Sequence, residues 1–199
     1  IGFATIALVV GAIWAAGGMQ AAGIGPAWRS PSGLLQIALL LPAFVFQSSV
    51  EEVMFRGWLL STVARKANVL VAVLLVSATF GLLHYSPHQP PLVVASSVLF
   101  SLFACAWVLR TGNVWGVMGW HAGWNWLLAV GFELPVTGLD AHLPALLVAL
   151  RPQGGDVLTG GAQGPEGSML CVAFFLLAIA RIQLRARKGR AALPAPGMR

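Results

Sequence analysis

Apolar side chains run through this chain in long blocks, broken by short clusters of proline, glycine, asparagine and basic residues. A helix crossing the hydrocarbon of a bilayer needs ~20 mostly apolar residues. Six blocks approach or reach that length: Ile1–Gly18, Leu34–Ser61, Val69–Tyr85, Leu92–Arg110, Val114–Phe132 and Ser168–Gln183. The breaks have turn chemistry: Pro31-Ser32-Gly33 starts one helix, Pro87 to Pro91 separates two others, and Thr111-Gly112-Asn113 makes a tight turn. Leu139–Leu150 is apolar but short and contains Pro144, which predicts an interfacial or re-entrant segment. The expected fold is all-α, a polytopic transmembrane helix bundle of about six spans, with the candidate site on three core helices.

Composition strengthens this reading. The 199 residues are 58% hydrophobic and only 9% charged, with a mean hydropathy of +0.82; a soluble domain has ~25% charged residues. The formal charge of +6 does not point to nucleic acid, because half of the basic residues (Arg181, Arg185, Arg187, Lys188, Arg190 and Arg199) lie in one C-terminal tail. If that tail is cytoplasmic, Arg65, Lys66 and Arg110 fall on the same side, with Arg29 and Arg151 outside and Arg56 within a span. That is the charge bias of a multi-pass protein of the bacterial plasma membrane. Cys105 and Cys171 both sit in apolar runs and are expected as buried free thiols.

Four regions follow: an N-terminal span and outer loop (residues 1–33), core helices (34–132), a glycine-rich extramembrane loop (133–167), and a last span with its basic tail (168–199). The first apolar run begins at Ile1 with no Met or basic segment before it, so an N-terminal truncation is expected and a cleaved signal peptide is not. Gln153–Ser168 carries Gly154, Gly155, Gly160, Gly161, Gly164 and Gly167 but no lysine. It therefore lacks the ending of a phosphate-cradling loop and is expected to be flexible.

Ionisable groups inside spans cost ~2.5–3.5 kcal/mol each on insertion scales, so each one asks for a reason. Glu51, Glu52 and Arg56 lie on the second span, His84 ends the third, and His121 and Asn125 lie on the fifth. Glu52 and Arg56 are four apart, the favourable order for an ion pair on a helix. Glu51 is turned about 100° away with no partner at i+3 or i+4, poised to take a proton as a general base does. An assembly network of the three charges is the bland alternative. Phe80 and His84 share a face, as do His121 and Asn125. Counting inward at 1.5 Å per residue, Glu51 and His84 both lie roughly 22–24 Å from the cytoplasmic ends of their helices, and His121 and Asn125 roughly 12–18 Å.

The other polar residues promise less. His88 and His142 are expected to be solvated or interfacial, and Glu133, Asp140, Asp156 and Glu166 to be solvated in the outer loops. Trp115, Trp120, Trp124 and Trp126 suit an interface belt, helix packing or the lining of an apolar cavity.

A carboxylate, two imidazoles and a carboxamide around a membrane cavity suit hydrolysis, with Glu51 activating water, His84 orienting it, and His121 and Asn125 stabilising an oxyanion. Equally, Glu51, His84 and His121 could hold a divalent metal such as zinc, although no His-Glu-x-x-His is present. No Gly-x-Ser-x-Gly supports a serine nucleophile.

The ordered motifs Glu51-Glu52-x-x-x-Arg56, Phe80-x-x-x-His84 and His121-x-x-x-Asn125 resemble those of the CAAX protease and bacteriocin-processing family, which includes type II CAAX prenyl endopeptidases and lysostaphin-resistance-protein-A-like proteins. The resemblance covers roughly Phe44–Trp126. It implies a helical core enclosing a cavity open toward the membrane, Glu51 as catalytic base, and Glu52, Arg56, His84, His121 and Asn125 completing the site. It implies an endopeptidase acting on a membrane-associated peptide or protein, lipidated or not, with the metal question open. Two other classes fit the residues: a non-catalytic immunity or scaffold protein of the same fold, and a proton-coupled transporter using Glu51 and His84. The residues specify neither substrate nor oligomeric state.

Overall fold

The computed structural model describes residues 1–87 and 89–191, with side chains to residue 186. His88 and the tail residues Arg187, Lys188, Arg190 and Arg199 lie outside the described residues or side chains.

Each expected span is a helix. α1 is Gly2–Ala15. α2, Pro31–Glu52, runs through a π-helical stretch, Val53–Leu59, into α3, Leu60–Lys66. α4 is Val69–Leu83, α5 Pro91–Thr111 and α6 Trp115–Trp126, the last continued by π-helical Leu127–Gly131. α8, Met169–Ala191, ends the described chain, preceded by the four-residue α7, Asp156–Thr159. The starts have local causes. The Ser30 hydroxyl accepts from the Gly33 N–H with Pro31 at the first helical position, and Asn68 Oδ1 accepts from the Val71 N–H at 2.9 Å. Gly112 ends α5 in the left-handed conformation, φ 74°.

The molecule is an all-α helical membrane bundle with little sheet. By length and composition, three helices among the described residues can cross a membrane: the continuous Pro31–Lys66 rod, α5 and the first part of α8. α1 and α4 are apolar but shorter; 14 residues give α1 about 21 Å, short of the ~30 Å hydrocarbon core. α5 is the central helix, with 44% of its apolar stretch buried against 17% in the rod and 11% in α8. α5 packs on α4 and α8, and α6 on α1 and α2. The outward residues of the long helices are large and apolar, among them Leu35, Leu39, Phe46, Leu70, Leu74, Leu176 and Leu177. In water such a surface would aggregate; in lipid it is solvated. Cys105 and Cys171 are buried and free, as expected.

The outer side differs from expectation at two points. Leu139–Leu150, expected as an interfacial or re-entrant segment, has no re-entrant helix: its end joins β2, Val148–Pro152, which pairs antiparallel with β1, Met19–Ile24. Leu146 and Leu147 instead donate to the Val130 and Gly131 carbonyls, so backbone groups left by the π-helical end of α6 are satisfied by this segment. The glycine-rich stretch is not a loose loop either. It folds into α7 and two single 3-10 turns, Gly161–Gln163 and Pro165–Gly167, and buries Thr159, Pro165 and Gly167. Its glycines serve tight backbone turns. Gly160 has φ +83°, and a Cβ there would lie 1.7 Å from the Gly164 carbonyl oxygen.

Replacing Gly160 by Ala should therefore open the cap, residues 133–167. Positive φ without glycine costs more than ~1 kcal/mol, so cleavage within residues 153–167 by proteinase K should rise about five-fold or more, read by mass spectrometry on detergent-solubilised protein.

Candidate functional site

A cavity of about 600 Å³ lies among α2, α4, α5, α6 and the cap. Glu51, His84, His121 and Asn125 all line it, with Gln47, Phe80, Phe100, Trp120, Trp124, Thr137 and Glu166. Four of the six residues singled out from the sequence thus face one space. Glu52 and Arg56 lie behind the wall, with side chains fully buried.

The buried pair forms as the i,i+4 spacing predicts, Arg56 donating through NH1 to Glu52 Oε1 at 2.9 Å. The same Glu52 oxygen lies 2.9 Å from His121 Nδ1. A carboxylate only accepts, so Nδ1 is the nitrogen that donates to Glu52 and Nε2 is left for other contacts. His84 is arranged alike: its Nδ1 lies 2.8 Å from the Phe80 carbonyl oxygen, one turn back along α4. Each imidazole is therefore held by one nitrogen and has the other left for chemistry.

Arg56 is as fully buried as its partner. Its Nε and NH2 have no hydrogen-bond partner among the described residues. Its guanidinium carbon lies instead over three rings, Phe80 at 4.5 Å, Phe100 at 4.9 Å and Phe55 at 5.8 Å. A desolvated cation over an aromatic face gains ~2 kcal/mol or more. The same rings hold the histidines: Phe80 stacks on His84 at 4.3 Å and 25°, and Phe100 lies 4.7 Å from His121.

Glu51 differs from its neighbour. It accepts a hydrogen bond from Gln47 Nε2 one turn earlier, a partner that the search at i+3 and i+4 passed over. The amide is neutral, so the carboxylate charge stays uncompensated, and its Oε2 is buried without a partner among the described residues.

Glu166 is a correction. Expected to be solvated, it lines the cavity and accepts three bonds of 2.8 Å, from Trp124 Nε1, the Thr137 N–H and the Thr137 hydroxyl. Glu133 is also tied down, by Arg151. Asp140 and His142 pair in solvent, and Asp156 is exposed, as expected. The tryptophans divide: Trp120 and Trp124 line the cavity, Trp126 bonds the Ile37 carbonyl, and Trp115 is exposed. Nothing in the spacing marked Glu166 or Phe100; Gln47 lies one turn before Glu51 and was open to discovery.

The proposed metal ligands Glu51, His84 and His121 share the cavity, and both imidazoles are tied back through Nδ1 as metal-ligating histidines are. Among the described residues, however, no three His, Cys, Asp or Glu side chains converge closely enough to hold an ion.

Residues 33–127 match the family described as type II CAAX prenyl endopeptidase Rce1-like. The resemblance read from the three motifs is thereby shown over that segment, just under half of the chain. The uncharacterized protein YyaK of Bacillus subtilis (strain 168) is 31% identical over 123 residues, which cover 59% of this chain and 40% of YyaK. The chain thus spans about two fifths of that relative's length. No solved structure matches. The three motifs, with all six of their residues, lie inside the Rce1-like segment; the cap and α8 lie outside it.

Glu52 and Arg56 should behave as one unit. Removing one partner of a buried pair costs ~3–5 kcal/mol, so Glu52→Gln and Arg56→Met should each lower the unfolding midpoint in detergent sharply. The double variant should lose clearly less than the sum, a coupling that a double-mutant cycle measures.

Proposed function

We propose that this chain is an intramembrane endopeptidase that hydrolyses a peptide bond of a membrane-associated peptide or protein. The observation that carries the reading is the convergence of Glu51, His84, His121 and Asn125 on one cavity, with Glu52 and Arg56 buried behind them. The Rce1-like match supports it, since that family consists of CAAX prenyl endopeptidases by description.

Each residue has a part. Glu51 takes a proton from water as the oxygen adds to the scissile carbonyl carbon. His84, with its Nδ1 held by Phe80, presents Nε2 to that water as acceptor and orients it. The carbonyl oxygen becomes an oxyanion, toward which the Asn125 carboxamide is the donor. His121 gives a second donor when its Nε2 is protonated, a charge that the Glu52 carboxylate behind it stabilises. The C–N bond then breaks and Glu51 returns its proton to the leaving amine. Arg56 touches none of the reacting atoms; it neutralises Glu52 and so sets how strongly that carboxylate acts on His121.

The apolar part of the wall, with Leu40, Phe44, Leu83, Val93 and Phe175, suits hydrophobic side chains or a lipidated segment. We place the chain in a bacterial plasma membrane with Lys66 and the C-terminal tail cytoplasmic, following the bias of basic residues.

Glu51→Gln keeps the shape and removes the base. Turnover of a membrane peptide should fall by ~10²–10⁴-fold while the thermal midpoint in detergent stays within a few degrees; retained activity would sink the assignment. Orientation has its own check. Single cysteines at Lys66 and Gln153, both exposed, should react with an impermeant maleimide from opposite sides of sealed vesicles.

A further inference from the structure

The cavity wall is electrically one-sided. Two carboxylates line it, Glu51 at the α2 side and Glu166 from the cap, and among its described lining residues there is no lysine or arginine. The nearby Arg56 offers the cavity nothing, since its side chain is fully buried and paired with Glu52. Glu51 is taken up by the proposed chemistry; Glu166 is not.

Glu166 is set into a wall of rings. Its Oε1 accepts from the Trp124 indole, its Oε2 from both Thr137 donors. Trp124 lies 4.9 Å from Trp120 and 5.7 Å from Phe175, centroid to centroid, and all three rings line the same cavity. Three donors fix the carboxylate in one orientation, and an ionised carboxylate has about four lone-pair sites, so capacity for a further donor remains. A carboxylate beside aromatic faces, in a space partly closed to water, attracts an ammonium or guanidinium by charge and by the ring quadrupoles together. It repels an anion, including a free C-terminal carboxylate brought into the same space.

We propose that Glu166, with Trp120 and Trp124, forms a subsite for a cationic group of the substrate, so that the cavity takes peptides carrying a Lys or Arg side chain near the bond presented to Glu51. This rests on the peptidase reading for the word substrate, but the recognition itself is a matter of binding. The charge of the subsite would come from the cap, outside the Rce1-like segment, while its rings Trp120 and Trp124 and the hydrolytic groups come from within it.

The test separates recognition from catalysis. Fluorescein-labelled apolar peptides, identical but for one position carrying Lys, norleucine or Glu, would be titrated in neutral detergent against the Glu51→Gln protein, with that position scanned along the peptide. At one register the Lys peptide should bind about ten-fold tighter than norleucine, and Glu weaker than both. Adding Glu166→Gln should bring the Lys peptide down to the norleucine affinity. Adding Thr137→Val, which removes one donor but keeps the charge, should leave the preference in place. Equal binding of the three peptides, no binding by any of them, or loss of the preference in Thr137→Val as in Glu166→Gln would overturn the proposal. The same peptides offered to the unsubstituted protein test the other reading: selective binding without cleavage would sink the peptidase and leave the cationic subsite standing.

Discussion

A guanidinium with no access to water organises this protein. Burying a charge costs several kcal/mol even after relaxation, and Arg56 recovers much of it from the Glu52 carboxylate and the faces of Phe55, Phe80 and Phe100. Those partners come from the α2 rod, α4 and α5, and Glu52 reaches α6 through His121. Four elements must therefore arrive together for the charge to be tolerated. The same contacts position the chemistry, because the ring under Arg56 on one side stacks on His84, and the ring on the other abuts His121.

π-Helical turns make this possible at the backbone level. One begins directly after Glu52 and contains Arg56; the other begins two residues after Asn125. Such turns are uncommon and occur mostly at functional sites. In the first, Arg56 still reaches Glu52. In the second, the carbonyls of Val130 and Gly131 are met by Leu146 and Leu147, which anchors the cap to the helix that carries His121 and Asn125.

The cavity is thus a joint product of two parts. The Rce1-like segment contributes the titratable groups and the aromatic cage, and the cap contributes the outer wall. Glu166 is the principal tie between them, linking Trp124 on α6 to Thr137 in the cap, and Gln89 adds a second at 3.0 Å from Gln163. The cap's share of the wall, Val136, Thr137, Leu139 and Glu166, lies in a different stretch of chain from the hydrolytic groups.

What the chain alone determined is everything that depends on short spacing and on solvent. Apolar blocks of near-membrane length set the six helices, because exposed Leu and Phe on their faces are tolerated only in lipid. The four-residue step from Glu52 to Arg56 set their ion pair, and the 3.6-residue repeat placed His121 and Asn125 on one face. The ordered motifs also carried the resemblance that the Rce1-like match over residues 33–127 repeats. Tertiary structure decided what spacing cannot encode. It put Glu52, and not Glu51, against His121 across 69 positions, set Phe100 under Arg56, and carried Glu166 from an apparently solvated loop into the cavity. It paired β1 with β2 across more than a hundred residues. A helix or turn is specified by neighbours a few positions away, whereas a buried charge or a capped carbonyl accepts whichever donor, acceptor or ring the completed fold delivers.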